Sequence, residues 1–514
     1  MSRRDEDRGR DPRVPAVLAA RPVKPPAAPP AVVTFEQPGE PHHRGLTSMA
    51  FVASLLTAGL VAVLEPALGA FLALSFIGAA ALLRSRRDVT SFLTLFLVAA
   101  FVIPSPQVIT PLGGSATPAT MIGLAAAWLW INARIVPTLG LARERQPVRI
   151  AILVWGWATL ASYAAAWTRP LPGVEARAAD RGLVVMLSAA GLALLAADGV
   201  LSRDRLDTLL RRTVWIGAFV AVVGLVQFAF GFDLAAKIHV PGLGTVNQFT
   251  FIQTREGFRR VAGTAYHPIE YAVVLCALLP LALHFALRGP FGVQRIRRWA
   301  PVVLIGAAIP TSVSRTAVVG VAVAAVMLLP AWSARRRFAA VVTGGAFMVA
   351  VQVAWPGLVT AIVELFTEIE SDVSYTTRTA DYASGLREFV QRPVFGRGFR
   401  TFHPEGYFFI DNQYLMSLIE TGVLGVLALA SIFVVGMTLA RGARHRSADP
   451  VTRDLGQSLA AAIAVSGVCF ATFDALSFPM ITGLTFLLVG CAGALWRLTR
   501  DEEAALVLSR SAAT

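Results

Sequence analysis

The sequence PIEYAVVLCALLPLALHFAL, residues 268–287, decides the class of fold. Its one acidic residue, Glu270, stands near the start, and the apolar run that follows contains no Asp, Glu, Lys or Arg. A helix of about 20 predominantly apolar residues crosses the hydrocarbon core of a bilayer. Proline within such a run is tolerated, because neighbouring helices satisfy the freed backbone groups. The stretch therefore predicts a transmembrane helix.

Outward from this stretch, the whole chain of 514 residues has the same apolar character. Hydrophobic residues make up 55% of it and charged residues only 15%, whereas soluble domains carry about 25% charged residues. This composition excludes an ordinary soluble enzyme. Cys276, Cys469 and Cys491 lie within apolar runs at no metal-ligand spacing, so neither a disulfide framework nor a zinc cluster is expected. The predicted fold class is all-α, a polytopic bundle of transmembrane helices.

Apolar runs of sufficient length recur almost to the end of the sequence and divide the chain into five parts. Residues 1–45 are rich in proline and charge, and we predict a disordered tail there, because they bury too little apolar surface to offset their ordering entropy. Helices 1–11 are predicted in 46–355 and helices 12–14 in 412–497. A large, partly helical loop, 356–411, separates these groups, and 498–514 form a second tail. The fourteen predicted spans lie near 46–64, 67–83, 90–104, 118–137, 150–167, 182–201, 213–231, 268–287, 299–313, 316–333, 338–355, 412–440, 457–477 and 479–496.

The distribution of positive charge predicts the orientation in the membrane. The chain carries 46 Lys and Arg against 32 Asp and Glu, a net charge of +14. Most of the basic residues fall on one side if both termini are cytoplasmic, as the positive-inside rule requires. We therefore predict a multi-pass protein of the cytoplasmic membrane, with both tails in the cytoplasm and the loop 356–411 on the extracytoplasmic side.

The apolar segment between Arg298 and Arg335 is too long for one span. As a single helix it would extend about 54 Å, and it would place one arginine cluster on the outer side against the charge rule. Two short spans that meet near Ser314 and Arg315 keep both clusters cytoplasmic. The sequence thus predicts a helical hairpin with Arg315 at or just below the outer surface.

Arginines that lie outside against this bias are candidate ligands for a phosphate group. Arg259 and Arg260 precede span 8, Arg315 stands at the hairpin tip, and five more arginines crowd the second half of the large loop: Arg378, Arg387, Arg392, Arg397 and Arg400. The planar guanidinium fork suits bidentate phosphate binding. For single loop arginines, salt bridges to the acids of the loop and contacts with lipid headgroups are the favoured alternative. For Arg315 the functional interpretation is favoured, because an ionisable residue within a span is costly.

Asp411 and Asn412 stand where the large loop enters span 12. Either side chain can cap the helix by accepting its free backbone N–H groups, and a carboxylate held there could also act as a general base. Glu420 lies about 13 Å deeper along the helix, where a structural acid or an arginine partner is the favoured interpretation. Gly422 and Gly425 would allow another helix to approach closely.

Two external histidines are further candidates for the base. His267 starts span 8 and shares a helix face with Glu270, so it could relay a proton or simply occupy a helix start. His403 lies in the large loop. His239 is external but far from any motif, and Asp474, near the outer end of span 13, is a weaker candidate. No metal-ligand spacing and no phosphate-binding glycine loop occur, so the sequence predicts neither a metal nor any other cofactor.

Four segments taken together resemble the O-antigen ligase and polymerase superfamily of bacterial envelope glycosyltransferases. The resemblance covers about residues 200–440 and depends on the order and spacing of the segments. They are RVAGTAYHP at 260–268, SRTA at 314–317, RPVFGRG at 392–398, and DNQYL at 411–415 followed by Glu420-Thr421-Gly422.

The resemblance implies the reaction. Such enzymes use a glycan linked to a polyprenyl diphosphate such as undecaprenyl diphosphate, on the outer face of the cytoplasmic membrane, and pass it to a lipid or glycan hydroxyl. By this analogy Arg260 and Arg315 hold the diphosphate, and Arg259, Arg397, Asn412 and Glu420 line the substrate site. The expected partners are the donor, the acceptor and membrane lipids, with no nucleic acid.

The resemblance also bears on the general base. Ligases typically carry a histidine before the asparagine of the last motif, where this chain has Asp411. The candidates therefore remain Asp411, His403 and His267. The expected chemistry is an inverting displacement, in which arginines stabilise the charge that grows on the leaving diphosphate.

Two other functions compete with a glycan transferase. A transporter or flippase for a lipid-linked or anionic solute would also have many spans and buried charges, although no inverted repeat is visible. A polyprenyl-monophosphate sugar transferase would carry paired acids in its first external loop, where this chain has only Glu65 and Pro66.

Overall fold

A computed structural model describes residues 88–109, 116–135, 141–246, 252–288, 293–367, 373–402 and 407–511. Within these, the side chains of 293–295, 373–381 and 505–511 are not described. The predicted tail 1–45, the first two predicted spans and His403 lie outside the described residues.

The described residues form fourteen α-helices and four short strands, so the predicted all-α polytopic bundle is confirmed. The helices are α1 (Val89–Phe101), α2 (Pro118–Ile135), α3 (Pro147–Ala166), α4 (Gly173–Gly199), α5 (Arg203–Phe230), α6 (Pro268–Leu287), α7 (Val293–Ala308), α8 (Arg315–Leu328), α9 (Ala334–Ala354), α10 (Leu358–Thr367), α11 (Val373–Gln391), α12 (Gln413–Arg446), α13 (Pro450–Cys469) and α14 (Pro479–Ser511). The strands are β1 (Gln107–Val108), β2 (Gly244–Thr245), β3 (Gln253–Arg255) and β4 (Phe258–Arg260). β1 pairs antiparallel with β2, and β3 pairs antiparallel with β4.

Eight of these helices are long and apolar enough to cross a membrane: α3, α4, α5, α6, α9, α12, α13 and α14. α1, α8 and α10 are apolar but shorter. The predicted span 268–287 coincides with α6, whereas α4 begins at Gly173, well before the predicted 182. The reason is that the first turns of α4 are polar, with Glu175, Arg177, Asp180 and Arg181, and polar turns that extend beyond the bilayer carry no hydropathy signal.

The interior of the bundle is built by α6, α13 and α14. The apolar window of α14 is 89% buried, whereas that of α9 is only 6% buried. α9 exposes large apolar side chains such as Phe338 and Val353, as expected for a helix surrounded by lipid tails. Small residues bring helices close together, since a Cβ on Gly191 of α4 would lie 2.3 Å from the backbone nitrogen of Ala127 in α2.

Helix α7 runs antiparallel to α6. The Arg298 guanidinium of α7 donates to the carbonyl of Arg288, just beyond the end of α6. The turn after α7 returns to the beginning of α6, where the N–H of Val261 donates to the carbonyl of Thr311.

Helix α8 runs in the opposite direction to α7. It is antiparallel to α13, because Thr316 at its start bonds Thr472 after α13 and the carbonyl of Met327 at its end accepts from Gln457 near the start of α13. α6 is antiparallel to α13 as well, since its last turn carries His284, which bonds Asp454. α7 and α8 therefore form the predicted hairpin, which turns at 309–314.

A cluster of ion pairs defines the end of the bundle far from that hairpin tip. Asp198, in the last turn of α4, is 1% exposed and accepts from Arg134, Arg149 and the indole N–H of Trp130. Paired and hydrogen-bonded in this way, a buried carboxylate becomes tolerable in an apolar bundle. The cluster ties α2, α3 and α4 together at the end where the sequence predicts cytoplasmic charge.

Candidate functional site

The connection between α13 and α14, residues 470–478 and here called the α13–α14 turn, contacts the starts of several other helices. Two short 3-10 segments shape it. Gln413, the first residue of α12, holds the start of that helix to the turn by two hydrogen bonds. Its backbone N–H donates to Phe473 O at 3.0 Å, and its side-chain Oε1 accepts from Leu476 N at 2.8 Å. The start of α8 is held by the bond of Thr316 to Thr472.

The start of α6 meets the same turn. The ring of His267 lies 6.1 Å from that of Phe478, centroid to centroid. The carboxylate of Glu270, fully buried, accepts the N–H groups of Met480 and Ile481 at 2.8 and 3.1 Å and so caps the start of α14. Glu270 thereby joins α6 to α14, and its proton relay with His267 stays a prediction.

Arg260 reaches the hairpin tip from β4. Its Nε donates to Ser312 O and its Nη1 to Gln253 Oε1, each at 3.3 Å. Ser312 lies three residues before Arg315, so the two predicted diphosphate ligands come to the same turn of the chain. Arg259 points the other way, because successive residues of a strand face opposite sides, and it donates to Phe228 O at the end of α5.

Arg315 is the first residue of α8 and is half-buried. Its Nε donates to Leu365 O, near the end of α10, at 2.5 Å. The large loop therefore covers the hairpin tip, because α10 buries Leu358 and Leu365 against the bundle. The start of a helix carries free N–H groups and partial positive charge, so Arg315 adds a cation to a position already suited to an anion.

His267 is the N-cap of α6 and lies close to Arg260. Its Nδ1 accepts the N–H of Ile269 at 3.2 Å. Burial, and secondly the charge of Arg260, lower the pKa of His267 to about 3. His267 is therefore neutral near pH 7, and because the conjugate acid is so strong it is a weak general base.

Asn412, rather than Asp411, caps α12. Asn412 Oδ1 accepts from Tyr414 N at 2.9 Å and Leu415 N at 3.2 Å, and its amide donates to the Tyr382 hydroxyl of α11 at 2.6 Å. Asp411 is exposed. The negative charge of its carboxylate acts on Asp474, in the α13–α14 turn.

Asp474 lies in the middle of the α13–α14 turn, between the starts of α8 and α12. It is half-buried and bonds the Ser477 hydroxyl. Burial raises the pKa of Asp474 to about 6; the nearby charge of Asp411 adds to this rise, and that of Arg400 opposes it. From the sequence, Asp474 was only a weaker candidate for a functional acid. The available signal was an acid within a very short connection between two strongly apolar helices.

Arg400 belongs to the candidate site. In the sequence it was only one of five arginines in the second half of the large loop. It adopts φ +60°, a left-handed conformation that is unusual for a residue with a side chain and costs of order 1–3 kcal/mol. Gly182 of α4 leaves it room, since a Cβ there would lie 2.4 Å from Arg400 Cγ. Its guanidinium donates to Ser477 Oγ at 2.7 Å.

Glu420 accepts hydrogen bonds from the backbone N–H groups of Arg400 and Phe402. It is 3% exposed. These contacts support the structural interpretation that the sequence favoured for Glu420, because the carboxylate fixes the loop segment that carries Arg400.

Helix α12 is broken at Gly422, which has φ +66° and ψ −168°. A loop segment fills the break. The N–H groups of Arg397 and Gly398 donate to the carbonyls of Ile419 and Glu420, each at 3.0 Å, and Val423 N donates to Pro393 O at 2.9 Å. The RPVFGRG loop thus supplies backbone partners at the break. Helix α3 also reaches it, as the small residues predict, because the Ser162 hydroxyl donates to the carbonyl of Glu420 at 2.7 Å.

Arg397 is held by an ion-pair network. It contacts Glu388 at 3.2 Å and Glu175 of α4 at 3.5 Å. It also bonds the Tyr407 hydroxyl and stacks over the Tyr407 ring, 4.3 Å from its centroid. Two acids balance its charge, which is the alternative that the sequence favoured for single loop arginines.

Two cavities are lined by residues of the candidate site. The first, about 250 Å³, is lined by Arg260, Gln107, Gln227, Asp233 and His239 among others. His239 is thus a neighbour of the site, although the sequence placed it far from any motif. The second, about 180 Å³, lies beside Arg400. In the part of the chain that the structure describes, no group of three or more His, Cys, Asp or Glu residues could hold a metal ion.

Residues 300–430 match the family model described as O-Antigen ligase. The matched region contains Arg315, the large loop and the start of α12, and the resemblance found in the sequence is confirmed there. No curated protein matches the chain. The match and the apolar helices indicate a multi-pass membrane protein with a glycosyltransferase-like role.

Proposed function

We propose that this chain, in which residues 300–430 match the family model described as O-Antigen ligase, transfers a glycan from a polyprenyl-diphosphate donor to an acceptor hydroxyl. The reaction would take place at the outer face of the cytoplasmic membrane. One observation carries the proposal: Arg260 reaches the turn that begins α8 at Arg315, although the two residues belong to different elements. Two guanidinium groups at one helix start suit a diphosphate.

The polyprenyl tail has a route to this site from the membrane. α8 exposes Val318 and Val321 below Arg315. In a membrane, exposed apolar side chains of a helix in the bundle face lipid. A donor held at Arg315 would thus keep its tail among lipid chains. The first cavity, beside Arg260, would accept the sugars attached to the diphosphate.

For the general base we propose Asp474, with Asp411 beside it. A catalytic base works best with a pKa near the operating pH, and the pKa of Asp474, raised to about 6, suits this better than that of His267. Asp474 also lies on the turn that Thr316, next to Arg315, contacts. His403 and Asp411 remain the alternatives that follow from the sequence.

The transfer step is a single displacement. The carboxylate takes the proton of the acceptor hydroxyl, and the oxygen forms a bond to the anomeric carbon of the donor. The bond from that carbon to the diphosphate oxygen breaks, and its electron pair leaves with the diphosphate. The configuration at the anomeric carbon inverts. Arg260 and Arg315 stabilise the charge on the leaving group, as fixed donors do wherever charge develops in a transition state.

The test uses the full chain in lipid vesicles with lipid-linked glycan extracted from membranes of the producing cells. We expect release of polyprenyl diphosphate together with a glycan of larger mass, and loss of both in Arg315→Ala. Movement of intact lipid-linked glycan across the bilayer, with no diphosphate released, would overturn the proposal in favour of a flippase.

A further inference from the structure

The second cavity, which the proposed donor site does not use, is lined by hydroxyl groups. It lies between α1, α2, α4 and the start of α14, and its volume is about 180 Å³. This is below the range of about 300–1,000 Å³ of pockets for drug-sized ligands, so it suits one small ring. Its hydroxyl-bearing residues are Thr117, Thr120, Ser188, Ser477 and Thr482.

The lining combines these hydroxyls with apolar walls and one cation. Phe96, Leu192 and Leu476 supply apolar surface, and Arg400 is the charged residue among the described lining residues. Several of the hydroxyls already hold one partner, since Thr117 bonds Thr120 and Thr482 donates to the carbonyl of Ala475. Because a hydroxyl can both donate and accept, each can make a further hydrogen bond to a ligand. A ligand that offers several hydroxyls on an apolar ring would match this surface, as a pyranose does.

The charge around Arg400 argues against an anionic ligand. The carboxylates of Asp474 and Glu420 both lie close enough to interact with its charge, and its guanidinium is already bonded to Ser477. An uncharged sugar is compatible with this arrangement, in which two acids already balance the charge of Arg400. A phosphate or carboxylate would be repelled by those two acids.

The position of the cavity relates it to the proposed reaction. Ser477 lines the cavity and also bonds Asp474, so a hydroxyl of a bound sugar lies next to the proposed base. A narrow void lies between this cavity and the one beside Arg260, since it shares Gln107 with the first and Thr117 and Pro479 with the second. An acceptor sugar in the second cavity would thus reach Asp474 by way of Ser477.

We propose that this cavity binds an uncharged pyranose of the acceptor, so that the acceptor is a sugar hydroxyl rather than the headgroup of a lipid. That the bound sugar belongs to the acceptor rests on the proposed function, whereas sugar binding itself does not. The structure holds the charged residue of this site in one place, because Arg400 keeps a strained backbone conformation and Gly182 leaves space for its side chain.

The experiment measures binding without catalysis. The full chain in lipid nanodiscs is mixed with four methyl pyranosides, those of glucose, galactose, mannose and N-acetylglucosamine, and ligand-observed saturation-transfer NMR detects contact. We expect at least one glycoside to bind. Ser188→Leu, which fills the cavity, should abolish the signal. Thr438→Leu, on the lipid side of α12 where the hydroxyl bonds only its own helix, should leave it unchanged.

A second variant covers the case in which Ser188→Leu does not fold. Thr120→Val keeps the side-chain shape and removes a lining hydroxyl that, while bonded to Thr117, can make a second hydrogen bond to the sugar. It should therefore weaken binding about fivefold, as expected for loss of one hydrogen bond. Failure of all four glycosides to bind, or equal binding to the Ser188→Leu and Thr438→Leu proteins, would overturn the proposal. Sugar binding without diphosphate release would instead contradict the proposed function alone.

Discussion

The hydroxyl of Thr316 donates to that of Thr472 at 3.0 Å, and this bond places the residue after Arg315 two positions from Asp474. A helix start with a cation and a turn with a carboxylate are thereby fixed side by side. The arrangement brings together the two groups to which the proposed displacement assigns the leaving diphosphate and the acceptor proton. Arg315 and Asp474 lie far apart in the sequence, and the contact between Thr316 and Thr472 brings their segments together.

Replacement of Arg315 by lysine separates a diphosphate contact from a structural ion pair. Lysine keeps the charge but loses the bidentate fork, so glycan transfer should fall by roughly 10²–10³, about 2–4 kcal/mol of transition-state stabilisation. The measurement is diphosphate release in membranes with matched protein levels. Arg337→Lys, at an exposed position of α9, is the control and should behave as the wild type. Wild-type turnover by Arg315→Lys would remove this residue from the site.

The dependence of the rate on pH should report Asp474. A base must be deprotonated, so the rate should decline as the pH falls through about 6, the raised pKa of Asp474, rather than through about 4, where an unperturbed aspartate titrates. Asp474→Asn should reduce the rate by about 10²–10⁴, the usual contribution of a general base.

Asp411→Asn tells the two acids apart. Removal of its charge lowers the pKa of Asp474, because that charge helps to raise it. If Asp474 is the base, the variant stays active and its acidic limb moves to lower pH. An inactive Asp411→Asn protein with normal folding would assign the base to Asp411.

The docking of the RPVFGRG loop into α12 should depend on Gly396. This residue has φ +69°, and a Cβ there would lie 2.3 Å from the carbonyl carbon of Glu420. Gly396→Ala should therefore destabilise the protein by about 1–3 kcal/mol, seen as a lower melting temperature in detergent. Gly344→Ala in α9, where a Cβ meets nothing within 4 Å, should be neutral or slightly stabilising, since alanine favours the helix. Equal melting temperatures for both variants would contradict the role of Gly396.

The predicted orientation can be tested by labelling single cysteines. Cys276, Cys469 and Cys491 are buried, so they should react slowly with a membrane-impermeant maleimide. Ala383→Cys, exposed on α11, should be labelled in intact cells, and Ala448→Cys, exposed between α12 and α13, only after permeabilisation. The reverse pattern would invert the topology.

The sequence predicted the helical parts of the fold because long apolar runs and charged turns are local signals. α6 and the hairpin break at Arg315 follow from such signals. The beginning of α4 did not, because its first turns are polar. In the site, Arg260 and Arg315 could be chosen from charge and resemblance. Asp474 was only a weaker candidate and Arg400 one of five loop arginines, because the contacts that distinguish them join segments far apart in the chain.

The break in α12 has a consequence for how the chain is made. An unwound turn inside an apolar helix leaves backbone groups that lipid cannot satisfy, at a cost of several kcal/mol. Here their partners are Pro393, Arg397 and Gly398, which are synthesised before α12. The ribosome therefore makes the loop first, and in the predicted orientation we expect α12 to enter the membrane with this partner already on the outer side. In a permuted chain in which the loop is synthesised after α12, we expect that helix to insert with its break unfilled.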